Sequence, residues 1–475
     1  MLIRQSALYV FARLAAGLVS MALTVLLTRI LEPASYGMYG VATLIMTIGA
    51  SLLFDWMGVA LIRIYAGVRQ TDHTLKTFFQ IFLMLSALPV LSVLPVLLLL
   101  GARTLDGTTY LVGAGLIVAY SAFELAARVR IANSQAGRYL MMNLGRSILI
   151  MGFAVPIAAL THDGLWTAAG TALGMAGGAL LGLRPAALRH LGRFDRVLAR
   201  EIFAYGLPIG ASMILGGLVN SGTRALVGGI GSAEELGYYT AALVLIQNTL
   251  TMVASGIEAA AFPLAVAAVE RGDEVAAREQ LVRNASLLLA VLLPAAIGMA
   301  LTAPGIAHSL VGVRFAPAVA QLTPWMCAAG LLGNFRANYL DHAFQLGRRP
   351  DQQVWVTAVS GGLALALAAW LVPRLGAVGA AIAVTVAMGV SCLHALLAGR
   401  SAFHLPFPVA EAGRILAACA VMALIVWLTP GITTGSLVLQ VTGGATAYGL
   451  SAFALNVLGS RRRVVAWWGA RVQAG

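Results

Sequence analysis

Long apolar runs, broken by short charged or Gly/Pro-rich connections, repeat along the whole chain. The first sets the pattern. Apart from Arg13, no charge occurs among the 22 residues from Ala7 to Thr28, which is long enough to cross a bilayer as a helix. On that helix Tyr9, Arg13, Gly17, Ser20 and Thr24 recur at spacings of 4, 4, 3 and 4, a single polar or small stripe on an apolar cylinder. A lone arginine near mid-membrane costs roughly 2.5–3.5 kcal/mol on insertion scales, so the stripe is expected to face protein or a watery cavity. Fourteen apolar segments are predicted, near 7–30, 37–62, 77–101, 108–130, 139–160, 165–184, 202–228, 237–268, 284–303, 318–346, 353–373, 376–398, 411–429 and 436–458.

Composition agrees with that pattern. The 475 residues are 60% hydrophobic and only 10% charged, with a mean hydropathy of +0.88. These values describe an all-α polytopic membrane protein. The first segment is too long for a cleaved signal and lacks a small-residue cleavage site before Arg29, so it is read as a retained span. Net charge is +13, and Lys76 is the only lysine among 31 basic residues. Basic residues gather in alternate connections, including Arg63 to Lys76, Arg184 to Arg200, Arg271 to Arg283 and Arg461 to Arg463, and the intervening connections are poor in positive charge. The positive-inside rule then places both termini in the cytoplasm and assigns this charge to topology, with no nucleic-acid partner. Cys327, Cys392 and Cys419 sit in apolar segments and are expected to be reduced, small hydrophobes.

The chain also echoes itself. Thr28-Arg29 followed by Tyr36-Gly37-Met38-Tyr39 is answered by Thr223-Arg224 followed by Leu236-Gly237-Tyr238-Tyr239, and Gln135-Ala136-Gly137-Arg138 by Gln345-Leu346-Gly347-Arg348. The offsets are 195, 200 and 210 residues. Six spans per repeat, an even number, predict two six-helix lobes related by an axis along the membrane normal, with a site between them. The expected parts are an N-lobe at 1–184, a basic amphipathic linker at 185–200 lying in the cytoplasmic interface, a C-lobe at 201–400, and two further helices with a basic tail at 401–475.

Polar residues inside the spans supply the candidate chemistry. Asn334, Asn338, Asp341 and Gln345 recur at 4, 3 and 4, and Gln247, Thr251, Ser255 and Glu258 at 4, 4 and 3, so each set forms a helical face. Asn220 and Arg224 are four apart, as are Glu124 and Arg128; the latter pair neutralises itself and is read as structural. Arg13, Arg224, Glu258, Arg336 and Asp341 have no partner at helical spacing and are candidates to line a cavity, with Asn220 and Asn338 beside them. On an α-helical wheel Arg336 lies roughly opposite the face that carries Asp341, so at least one of the two is expected to be structural. A break in the second segment is expected at Asp55-Trp56-Met57-Gly58.

Several chemistries are missing. No Gly-Lys phosphate loop, no His-Glu-x-x-His and no Asp-x-Asp occurs, and no connection exceeds about 16 residues. Neither an enzyme nor a bound cofactor is expected.

The motif Leu27-Thr28-Arg29-Ile30-Leu31-Glu32-Pro33-Ala34-Ser35-Tyr36-Gly37-Met38-Tyr39, with Phe203-Ala204-Tyr205-Gly206-Leu207-Pro208, Glu235-Leu236-Gly237-Tyr238-Tyr239 and Phe344-Gln345-Leu346-Gly347-Arg348-Arg349-Pro350, resembles the polysaccharide-unit flippases. These are the O-antigen and exopolysaccharide branch of the multidrug/oligosaccharidyl-lipid/polysaccharide exporter superfamily. The resemblance spans about residues 1–400. It implies a multi-pass protein of the bacterial inner membrane that moves an undecaprenyl-diphosphate-linked oligosaccharide outward by alternating access, among membrane lipids and beside polysaccharide polymerase and chain-length machinery. Many relatives carry Asp-Arg where this chain has Thr223-Arg224, so the role of that carboxylate has no counterpart here. Arg13 and Arg224, on the related first helices of the two lobes, are the expected diphosphate ligands. A multidrug/cation antiporter, a lipid II flippase and a non-transporting membrane scaffold are the alternatives.

Overall fold

The computed structural model describes residues 2–67, 72–91, 107–182 and 194–461, with the side chains of 2–10, 13, 66–67, 72, 208–220 and 247 outside the described set. The part of the expected linker at 185–193, the tail beyond 461 and the Arg13 and Asn220 side chains therefore lie outside the described residues. Every regular element among the described residues is helical. The helices, numbered in chain order, are α1 Leu2–Ile30, α2 Pro33–Leu53, α3 Asp55–Gly67, α4 Asp72–Leu91, α5 Gly107–Ala132, α6 Ala136–Thr161, α7 Gly164–Gly182 and α8 Arg196–Ile230. They continue with α9 Ala233–Glu270, α10 Glu274–Leu301, α11 Ala303–Leu310, α12 Ala316–Phe335, α13 His342–Leu346, α14 Pro350–Ala402, α15 Val409–Leu428 and α16 Thr434–Ala454. A π-turn, Arg336–Leu340, joins α12 to α13.

Ten of these helices are long and apolar enough to cross a membrane. The difference from fourteen segments has local causes. The segments at 353–373 and 376–398 form one helix, α14, bent at Gly376, whose φ of 56° is open to glycine without strain. Span 318–346 is cut by the π-turn, and α1 and α8 carry side chains outside the described set. The predicted break is present: α2 stops at Leu53, Phe54 leaves helical geometry, and α3 restarts at Asp55.

The chain separates into two compact units, Met1–Thr240 and Ala241–Gly475. In the first, α1 packs on α6, α5 and α6 pack on α7, and α2 and α3 pack on α8. Its largest buried side chains surround Trp56, which meets the Phe203 ring at 5.2 Å and sits with Met57, Leu61, Phe78, Phe82 and Ile202. Gly170, Gly174 and Gly178 face α6, where a Cβ at Gly174 would lie 2.5 Å from the Ile150 Cα, so small residues bring the two backbones together. In the second unit α12 packs on α10 and α14, and α15 on α10 and α16, around Ala290, Ile415 and Cys419. The three cysteines are buried and free.

Candidate substrate site

Three polar places interrupt this apolar framework. The first is a cavity of about 230 Å³ within the first unit, lined by Ala16 of α1, Glu124, Arg128 and Ile131 of α5, and Tyr139, Asn143 and Arg146 of α6. Glu124 and Arg128 pair as their spacing predicts, Nε to Oε2 3.8 Å. Arg146 adds a second cation whose Cζ lies 4.1 Å from the centroid of the Phe123 ring. Its Nε is buried and has no hydrogen-bond partner among the described residues. Two guanidiniums thus share one carboxylate in the cavity wall. Asp55, in an adjoining small pocket, accepts from the Ser51 hydroxyl at 2.7 Å. Gly178 of α7 lets the Arg146 stem pack close to that helix, since a Cβ there would lie 2.6 Å from the Arg146 Cβ.

Arg146 was not among the sequence candidates. The signal was available: Tyr139, Asn143 and Arg146 recur at 4 and 3, the same kind of face that singled out other residues.

The second place is the start of α2 and α9. Gly37 and Gly237 pack backbone on backbone, and just inside them Arg224 donates from Nη2 to the Thr43 hydroxyl at 3.4 Å and the Gly40 carbonyl at 3.5 Å. Tyr36, Tyr39 and Tyr239 surround the guanidinium, and the Tyr36 and Tyr39 rings stack 5.6 Å apart.

The third lies in the second unit and corrects the wheel argument. Arg336 and Asp341 would point about 140° apart at 100° per residue. The π-turn instead bonds the Asp341 amide to the Arg336 carbonyl at 2.9 Å, stacking residues five apart, and the side chains meet at 3.8 Å. Each is therefore the other's counter-ion. Arg336 also donates to Ser391 at 3.1 Å and Thr357 at 3.3 Å, and Gln353 donates to Asp341 at 3.3 Å. Next to them His342, 1% exposed, stacks on Phe262 with centroids 3.9 Å apart and sets Nε2 3.6 Å from Glu258. Asn338 bonds back to the Asn334 carbonyl of its own helix at 2.8 Å. Glu258, Arg336 and Asp341 are thus brought into one cluster, while Arg224 lies in the other unit.

A family model for polysaccharide biosynthesis proteins matches residues 26–320. The chain belongs to that family. Among solved structures, the lipid II flippase MurJ in an inward closed conformation aligns with a TM-score of 0.76 at 13% identity, over 95% of this chain and 99% of that one. A MATE in complex with MaL6 aligns at 0.55 and 15% identity, over 84% and 95%. A MOP superfamily transporter from Pyrococcus furiosus Vc1, whose binding pocket is described as reversed in polarity, aligns at 0.54 and 15% identity over the same shares. No curated protein sequence matches. The fold is shared with these solved structures, and the ten long apolar helices agree with the multi-pass membrane protein expected from the sequence.

Proposed function

We propose that this protein moves an undecaprenyl-diphosphate-linked oligosaccharide unit from the cytoplasmic to the periplasmic leaflet of a bacterial inner membrane, for O-antigen or exopolysaccharide synthesis. Both termini are cytoplasmic, and the halves at 1–184 and 201–400 alternate in access. The observation that carries the reading is the cavity where Arg128 and Arg146 face a single carboxylate, Glu124, inside membrane-spanning helices.

A diphosphate cannot cross hydrocarbon unaided, because an unpaired ion there costs tens of kcal/mol by idealised Born estimates. Guanidinium removes much of that cost by binding phosphate oxygens bidentately. Arg146 has an unused donor for that purpose. Arg13, which the sequence singles out three residues before the cavity-lining Ala16, would add a third cation. Arg224 serves the same anion further along the path, and the cluster of Glu258, Arg336, Asp341 and Asn338 offers polar groups to the sugars. An excess of guanidinium over carboxylate opposes a cationic drug as substrate. Lipid II carries the same diphosphate, so the unit's sugars, offered one lipid-linked donor at a time, separate these two readings.

Two negative charges moving outward across a cytoplasm-negative membrane gain roughly 4–5 kcal/mol at 100 mV, at about 2.3 per charge. In proteoliposomes a potassium diffusion potential of that sign is expected to accelerate flipping of lipid-diphosphate oligosaccharide at constant pH. A rate indifferent to voltage would remove the potential as the driving force, and absence of any flipping would remove the proposed substrate.

A further inference from the structure

The contact between α2 and α9 is reciprocal. A Cβ placed on Gly37 would fall 1.6 Å from the Ala233 carbonyl oxygen, and one on Gly237 would fall 2.3 Å from the Pro33 carbonyl oxygen. Gly37 and Gly237 are 200 residues apart, and so are Pro33 and Ala233. A Cβ on Gly40 would lie 3.2 Å from the hydroxyl of Thr240, again 200 residues on. Residue i touching j′ while j touches i′ is the signature of a two-fold related contact. Gly37 and Gly237 lie at such a contact, where the first turns of α2 and α9 approach each other through main-chain atoms.

That placement has a mechanical consequence. A path that ran between these helix starts would be shut by main chain against main chain, and cargo crossing there would have to part them. Arg224 is fastened close by. It reaches from α8 to Gly40 and Thr43 of α2, and its buried Nε has no hydrogen-bond partner among the described residues. Its contacts of 3.4 and 3.5 Å are long for charge-assisted bonds, so a phosphoryl oxygen would be the better acceptor.

We infer that Gly37 and Gly237 form a latch closing one end of the translocation path, and that Arg224 is its bolt, withdrawn when a phosphoryl anion takes the guanidinium. The inference rests on the flippase reading and adds its gate: arrival of the anion and opening of the latch become one event.

The test uses the full-length protein with its three native cysteines replaced. Gly40→Cys with Thr240→Cys is expected to form a disulfide on oxidation that stops lipid-diphosphate flipping, and reduction is expected to restore it. Cross-linked protein that flips at the reduced rate overturns the latch. Gly37→Ala is expected to part the helices, so that an impermeant maleimide labels Thr47→Cys, one turn beyond Thr43 on α2, at least tenfold faster; unchanged labelling of folded Gly37→Ala protein also overturns it. If Gly37→Ala does not fold, the cross-link decides. For the bolt, inorganic diphosphate and undecaprenyl diphosphate are added separately to the Thr47→Cys protein. Acceleration of labelling by both means that the phosphoryl group suffices, and acceleration by the lipid alone means that its chain is also required. In either case Arg224→Gln must abolish the effect, and acceleration by neither compound, or acceleration that survives Arg224→Gln, removes Arg224 from the gate. Labelling and cross-linking need no transported lipid, so a working latch in a protein that flips no lipid diphosphate leaves this inference standing and ends the substrate reading.

Discussion

Arg146→Gln is expected to slow flipping of the lipid-diphosphate oligosaccharide by about ten- to a hundredfold in proteoliposomes, with the protein still folded. A hydrogen bond to a charged group is worth about 1.5–3 kcal/mol, and each 1.4 kcal/mol is a factor of ten. The glutamine keeps an amide donor on a shorter side chain and removes the charge left over once Glu124 has offset one of the two cavity arginines. Arg146→Lys keeps the charge and loses the planar fork, so its loss should be smaller than that of the glutamine variant. Glu124→Gln gives the opposite sign: it frees Arg128, tightens the hold on inorganic diphosphate and slows release. Equal flipping by wild type and Arg146→Gln would move the anion site away from this cavity. Arg128 is the less informative target, because its removal also strands Glu124 without its partner at 3.8 Å.

The second large effect is on stability. Arg336→Ala should destabilise the protein by about 3–5 kcal/mol, because it leaves Asp341, 3% exposed, as a buried carboxylate whose remaining partner is the Gln353 amide. Asp341→Asn in the same chain should recover much of the loss, since the neutral amide no longer requires a counter-ion. Thermal unfolding in detergent reads both. An Arg336→Ala protein that melts with wild type would mean that the ion pair contributes no net stability and would reopen both side chains as cavity groups. Flipping by the double variant then tells whether this cluster serves the substrate at all.

Much of the architecture was legible in the sequence because membrane helices announce themselves. The bilayer requires about twenty apolar residues per span, and no other fold class presents that pattern in series. The break at Asp55 and the pairing of Glu124 with Arg128 followed from local rules of the same kind. The echo around Gly37 and Gly237 was equally plain, but not what it was for. Sequence marks two glycines as counterparts; only coordinates bring each against the carbonyl of the other's helix start.

The site was less legible, for a geometric reason. Helical spacing predicts which residues share a face only while the helix stays α. The π-turn at Arg336–Leu340 changes the phase and turned an apparent opposition of Arg336 and Asp341 into an ion pair. His342 and Glu258, 84 residues apart, have no spacing rule to join them. Length and hydropathy by themselves determined that this chain is a multi-pass membrane protein, because those properties are summed along the backbone and need no partner. Which arginine meets a carboxylate and which meets a carbonyl was decided by tertiary packing, because a buried charge takes its energy from atoms within a few ångströms, and the fold alone chooses those atoms.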